Sequence, residues 1–77
     1  MQTSTIEALI QNKIPDAEIT IVSNDNIHYH ATVTSASFKG LSKLKQHRLV
    51  YDALREALKA EIHALQLTTK IPEESAV

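Results

Sequence analysis

Two alternating runs of residues joined by a short polar turn constrain the fold of this chain most strongly. Residues 17–23 (AEITIVS) alternate in polarity and are rich in β-branched side chains, which favour strands. Residues 28–35 (HYHATVTS) alternate again, with Tyr, Ala and Val at one parity and His and Thr at the other. The Ser, Asn and Asp residues between the runs are typical of turns. The sequence therefore predicts an antiparallel hairpin with one buried face.

Helical periodicity is present on both sides of the predicted hairpin. Apolar residues recur at helical spacing from Ile6 to Ile14 and stop at a proline, which predicts a first helix of about three turns. A second helical stripe runs from Leu44 to about Ala60, and its phase shifts near residues 46–47. We therefore expect a bend or a second helix start at that point.

The segment before the second helix contains the only glycine of the chain, Gly40. Glycine adopts positive φ without a steric penalty, so we assign Gly40 a structural role in the turn. Ser42 follows as the predicted N-cap of the helix. His47, close to the predicted helix start, is also assigned a structural role.

A third strand is predicted at residues 62–69, which are short, apolar and end in threonines. The order of elements is then α-β-β-α(α)-β, an α+β fold. We expect a mixed three-stranded sheet with helices on one face. The length of 77 residues allows a single domain, 1–77, in which residues 71–77 are expected to form a flexible tail.

Residue usage argues against catalysis and membrane insertion. The chain has no cysteine and one glycine, and it lacks a Gly-rich phosphate loop, an HExxH motif and a GxSxG motif. We therefore predict that it is not an enzyme. No apolar run approaches the roughly 20 residues of a membrane span, and the formal net charge is -1. We expect a cytoplasmic protein without a membrane partner, as a monomer or weak homodimer.

The four histidines are the candidate metal ligands, because imidazole nitrogens bind zinc, copper, nickel and iron. His28 and His30 lie two residues apart on the same side of the second predicted strand. The alternative is that they are ordinary exposed polar residues. His63 has the parity of Leu65 in the third strand, so we expect it at the rim of the buried face. Its alternative role is a partly buried histidine bonded to a backbone carbonyl.

Four cations form a local basic segment, and they are half of the 8 Lys and Arg residues in the chain. They are Lys39, Lys43, Lys45 and Arg48, and no acid lies among them. Such a segment indicates a docking surface or a weak nucleic-acid footprint, the alternative being a solvated helix face.

Three ordered blocks of this sequence resemble the BolA family. Residues 38–42 (FKGLS) and 46–54 (QHRLVYDAL) are similar to that family's F-x-G-x-S segment and its R-H-R-x-V-Y-x-x-L helix. Residues 62–65 (IHAL) resemble its closing element, and residues 28–29 (HY) resemble the start of its second strand. The first arginine of the helix signature is Gln46 here, which we expect to remove one cation from the helix face.

The resemblance implies a fold similar to the class II KH arrangement and a specific partner. Family members pair with monothiol (CGFS) glutaredoxins and share a 2Fe–2S cluster, whose other side is held by glutaredoxin and glutathione thiols. The implied ligands in this chain are His63 and, because the preceding loop has neither Cys nor His, His28, with His30 the weaker candidate. The chain alone is expected to hold no cofactor, since a cysteine-free chain lacks the thiolates that normally ligate such a cluster.

Two other functions stay open at this point. Family members are also described as transcriptional regulators, so the basic segment from Lys39 to Arg48 is a candidate DNA-binding surface. A second GxxG glycine, which a KH clamp requires, is missing. The remaining interpretation is an adaptor that binds a partner without metal.

Overall fold

The computed structural model describes residues 3–25, 28–55 and 64–72. The helices bounded within these residues are α1 (Thr3–Lys13), α2 (Lys43–Ala53) and a short 3-10 helix at Ala36–Phe38. The strands are β1 (Glu18–Val22), β2 (His28–Thr34) and β3 (Ala64–Lys70). The predicted α-β-β-α-β order is therefore confirmed.

The sheet is mixed, with β2 in the centre. β1 pairs antiparallel with β2 and places Ile21 opposite Ala31. β3 pairs parallel with β2 and places Ala64 opposite His28 and Leu67 opposite Ala31. Because β2 and β3 run parallel, both strands begin at the same end of the sheet.

The core lies between one face of the sheet and the two helices. The predicted parity of β2 is confirmed, since Tyr29, Ala31 and Val33 are buried whereas His28 and His30 are exposed. The buried apolar cluster is formed by Ile6, Ile10, Ile14, Ala17, Tyr29, Val33, Phe38, Val50 and Leu54. Ile71, at the start of the predicted tail, packs against this cluster, and residues 73–77 lie outside the described part of the chain.

α2 is one continuous helix over Lys43–Ala53, so the second helix start expected at residues 46–47 is wrong. The apparent shift of phase arises because a polar residue occupies the buried stripe: Gln46 is 3% exposed and lies one turn before Val50, which lies one turn before Leu54. Leu44, which the sequence pattern places in the stripe, is 64% exposed. Ser42 is the N-cap, as predicted, and its hydroxyl accepts a hydrogen bond from the Lys45 amide at 3.2 Å.

α2 ends at Ala53, and Arg55 is again helical. Leu54 is its C-cap, and residues 56–60, where the helix is predicted to continue, lie outside the described residues. No helix within the described ranges has the length and apolar character needed to cross a membrane.

Asp16 connects the start of the sheet to the segment after β2. Its carboxylate accepts hydrogen bonds from the hydroxyls of Ser35 at 2.9 Å and Ser37 at 3.0 Å, and from the Ala36 amide at 3.1 Å. These hydrogen bonds, that of Ser35 above all, lower the pKa of Asp16 below its usual value. The cluster fixes the position at which the chain leaves β2 and enters the 3-10 helix.

Candidate metal and partner-binding site

His28 is the first residue of β2, and Asp25, three residues earlier, holds its side chain. Its backbone amide donates to Oδ1 of Asp25 at 2.9 Å, and its ring Nδ1 lies 2.8 Å from Oδ2 of the same carboxylate. The His28 side chain is nevertheless 72% exposed. One edge of the imidazole is therefore engaged by Asp25, and the ring as a whole faces solvent.

His30 lies further along β2 on the same exposed face. Its Nε2 is 3.4 Å from the hydroxyl of Thr68 on β3, which is a long hydrogen bond. Both histidines border an open hollow of about 310 Å³, together with Asp25 and Gln66. Both rings are therefore accessible from the solvent side of the sheet.

His63 lies outside the described residues. It directly precedes Ala64, and Ala64 is the register partner of His28 in the parallel pair of β2 and β3. Within residues 3–25, 28–55 and 64–72, no group of three His, Cys, Asp or Glu side chains is arranged to hold a metal ion.

The four cations of the basic segment differ in their surroundings. Lys43 donates from Nζ to the backbone carbonyl of Thr69 at 2.6 Å, so its ammonium group is directed to β3. Lys45 and Arg48 are exposed and lie three residues apart on α2, which makes them neighbours on the helix surface. Lys39 is exposed in the turn that follows the 3-10 helix.

The expected loss of a cation at position 46 is wrong, because this position is not on the exposed helix face. Gln46 is buried, and its Nε2 donates to the carbonyl of Leu41 at 2.9 Å and that of Phe38 at 3.4 Å. Its Oε1 accepts from the hydroxyl of Thr69 at 2.7 Å. A neutral amide thus joins α2 to β3 and to the turn that contains Gly40.

The outer face of α2 combines apolar and charged side chains. Leu44 is 64% exposed and Tyr51 is 36% exposed, and Arg48 lies between them at helical spacing. The His47 ring packs edge-to-face against Tyr51, with centroids 6.3 Å apart. His47 is half-buried beside this face, and its structural role stays a prediction.

Sequence reasoning missed the roles of Asp25 and Asp16. Asp25 was interpreted only as a turn residue, although its position three residues before His28 allows one carboxylate to reach both the amide and the ring. The Ser-Ala-Ser segment at residues 35–37 could have indicated the role of Asp16, because Ser hydroxyls at a helix start commonly form hydrogen bonds with nearby groups.

The family is decided by comparison with known proteins. The family model for BolA-like proteins matches residues 6–74. The chain belongs to the BolA-like family. Chloroplastic BOLA1 of Arabidopsis thaliana is 42% identical over 53 residues, which are 69% of this chain and 33% of that protein. This BolA-family chain thus spans about a third of the length of that relative.

Solved structures of BolA proteins have the same fold. A BolA homologue from Coxiella burnetii superposes with a TM-score of 0.86 and 32% identity, covering 100% of this chain and 99% of the homologue. BolA1 from Arabidopsis thaliana gives a TM-score of 0.80 and 32% identity, covering 92% of each chain. The predicted BolA-type α+β fold is thereby confirmed.

Proposed function

We propose that this BolA-family protein pairs with a monothiol glutaredoxin and shares a 2Fe–2S cluster with it. The chain contributes imidazole ligands and a docking surface, and glutaredoxin and glutathione contribute thiolates. We assign the chain no catalytic step of its own. Its role in this proposal is iron–sulfur cluster assembly, trafficking or iron-related regulation.

The observation that carries the proposal is the geometry of His28. Its ring is mostly exposed, and its Nδ1 edge is engaged by Asp25, so Nε2 is the nitrogen available to an incoming iron. Histidine is an established substitute for cysteine on one iron of a 2Fe–2S centre. The donor set of this cysteine-free chain therefore fits a cluster whose thiolates come from a partner.

The second proposed ligand is His63, which the family resemblance of residues 62–65 implies. Ala64, which follows His63 in the sequence, lies opposite His28 in the sheet. Leu65, at the parity of His63, packs against the core, whereas His28 lies on the uncovered face. The proposal therefore requires the two rings to meet at the end of the sheet, beyond the first residues of β2 and β3.

The outer face of α2 is the proposed docking surface for the glutaredoxin. Leu44 and Tyr51 offer apolar area, while Lys45 and Arg48 offer positive charge to an acidic or glutathione-bearing surface. Exposed ion pairs contribute only about 0–1 kcal/mol each, so most of the affinity must come from the apolar contacts and the cluster.

Visible circular dichroism tests this proposal. Cluster-loaded monothiol glutaredoxin is titrated with the wild-type protein and with three variants, His63→Ala, His28→Ala and His30→Ala. We expect a new spectrum with wild type, loss of that spectrum with His63→Ala, a weakened one with His28→Ala and little change with His30→Ala. An unchanged glutaredoxin spectrum with wild type would refute cluster sharing.

DNA binding is the second candidate, and the exposed pair Lys45 and Arg48 is the observation that favours it. The diversion of Lys43 to the Thr69 carbonyl reduces the charge available on the helix. Binding that rests on these cations must weaken steeply with salt, because it releases counterions from the phosphate backbone. Duplex binding measured across a salt series therefore tests DNA regulation, and absence of duplex binding at low salt would exclude it.

A further inference from the structure

One carboxylate holds both the backbone and the side chain of the proposed ligand His28. Oδ1 of Asp25 accepts the His28 backbone amide at 2.9 Å, and Oδ2 is 2.8 Å from the ring Nδ1. These two contacts use different oxygens of the same group. The side chain of Asp25 therefore holds the backbone of His28 and the orientation of its ring together.

The contact with Nδ1 also determines which ring nitrogen carries the proton. An ionised carboxylate only accepts hydrogen bonds, so Nδ1 must be the donor. In the neutral imidazole the other nitrogen, Nε2, then has the lone pair. Since the His28 side chain is 72% exposed, that lone pair is accessible from solvent.

His30 provides an internal contrast. Its neighbour is the hydroxyl of Thr68, 3.4 Å from Nε2, and a hydroxyl both donates and accepts. This contact therefore selects neither tautomer. Of the two histidines of β2, only His28 has a partner that imposes a single protonation pattern on the ring.

We propose that Asp25 is a positioning residue that holds His28 in the Nδ1–H tautomer and directs Nε2 to the iron of the shared cluster. This inference rests on the proposed function, because it gives His28 a ligand role. The arrangement follows the carboxylate–histidine–metal pattern, in which removal of the outer carboxylate typically costs 10–100-fold in metal affinity.

Asp25→Asn is the sharpest variant, because it separates the backbone contact of Asp25 from its effect on the tautomer. The amide oxygen can still accept the His28 backbone amide, so that contact is retained. The amide nitrogen donates to Nδ1, which moves the imidazole proton to Nε2, the nitrogen needed for iron. Thr68→Ala is the matched control, since it removes the hydroxyl neighbour of His30 and leaves His28 untouched.

The first measurement is long-range ¹H–¹⁵N NMR of the free protein with its rings neutral, which reads the tautomer of each histidine. We expect Nδ1–H for His28 in wild type and in Thr68→Ala, and a shift toward Nε2–H in Asp25→Asn. The second is the titration of cluster-loaded glutaredoxin. We expect the apparent affinity of Asp25→Asn to fall by about 10–100-fold, in step with His28→Ala.

The two measurements separate the possible failures. An unchanged His28 tautomer in Asp25→Asn, or a wild-type cluster affinity of that variant while His28→Ala loses affinity, would overturn the role of Asp25 and leave cluster sharing intact. Absence of cluster binding by wild type would overturn the proposed function, and the role of Asp25 toward iron with it.

Discussion

The hydroxyl of Thr69 donates a 2.7 Å hydrogen bond to the side-chain oxygen of Gln46, and both residues are buried. The amide nitrogen of Gln46 donates to the Leu41 carbonyl at 2.9 Å. This single side chain therefore couples α2, β3 and the turn between the 3-10 helix and α2. It occupies the position at which the family helix signature has its first arginine.

Replacement of either partner of this bond should destabilise the protein. Thr69→Val leaves a buried amide oxygen without its donor, and Gln46→Leu leaves the Thr69 hydroxyl and the Leu41 carbonyl without partners. We expect each variant to lose about 1–3 kcal/mol of unfolding free energy in urea titrations. The double variant should lose less than the sum, by about 0.5–3 kcal/mol. Strictly additive losses of unfolding free energy would show that the two side chains have no interaction energy.

Substitutions of Gly40 should reduce stability through backbone conformation and not through the size of the new side chain. Its φ is +79°, and a Cβ at this position would meet no atom within 4 Å. Gly40→Ala should therefore lose about 1–2 kcal/mol through the left-handed conformation alone. Gly40→Asn should lose less, because Asn tolerates this region better. Equal stability of wild type and both variants in urea unfolding would contradict a conformational requirement.

Asp16 should make folding stability depend on acidic pH. Its pKa is lowered in the folded state, first by the Ser35 hydroxyl, so the ionised carboxylate stabilises the fold above the unfolded-state pKa of about 3.9. This contribution is lost as pH falls below about 4 and passes through the folded-state pKa. Asp16→Asn should therefore be less stable than wild type at pH 7, and the difference should shrink toward pH 2. A difference independent of pH would contradict this assignment.

Although Lys43 and Arg48 belong to the same basic segment, a substitution at Arg48 should affect partner binding and one at Lys43 should affect stability. Arg48→Glu reverses an exposed charge on the outer face of α2 and should weaken glutaredoxin binding several-fold, more at low salt than at high salt. Lys43→Met removes the donor to the Thr69 carbonyl and should reduce unfolding free energy with little effect on affinity. Calorimetric titration and urea unfolding of both variants measure this. Weaker glutaredoxin binding by Lys43→Met together with reduced stability of Arg48→Glu would contradict these roles.

The strand pairing and core face were predictable because alternation in the hairpin is local and strict. Tyr29, Ala31 and Val33 share a parity, and burial follows that parity without exception. Gly40 and Ser42 were predictable for a similar reason, since positive φ and N-capping are properties of single residues. The fold class follows from these elements and their order.

The continuity of α2 was not predictable from the apolar pattern, because Gln46 is polar and yet buried. Its burial depends on a hydroxyl 23 residues away, on Thr69, and no local signal reports such a pairing. For the same reason the sequence does not distinguish Lys43 from the other cations, because Lys43 donates a hydrogen bond to the backbone carbonyl of that same distant residue. The candidate site was predicted at His28 but not at Asp25, whose carboxylate became significant only through its two contacts.

Pulsed electron paramagnetic resonance of the reduced shared cluster tests the central claim, histidine ligation by this chain, most directly. The protein is labelled with ¹⁵N-histidine and combined with unlabelled, cluster-loaded monothiol glutaredoxin, so any strongly coupled ¹⁵N must come from this chain. We predict strong ¹⁵N coupling with wild type and with His30→Ala, and no coupling with His63→Ala, because that variant forms no shared cluster. A cluster that forms with wild type but shows no strongly coupled ¹⁵N would contradict ligation by the histidines of this protein.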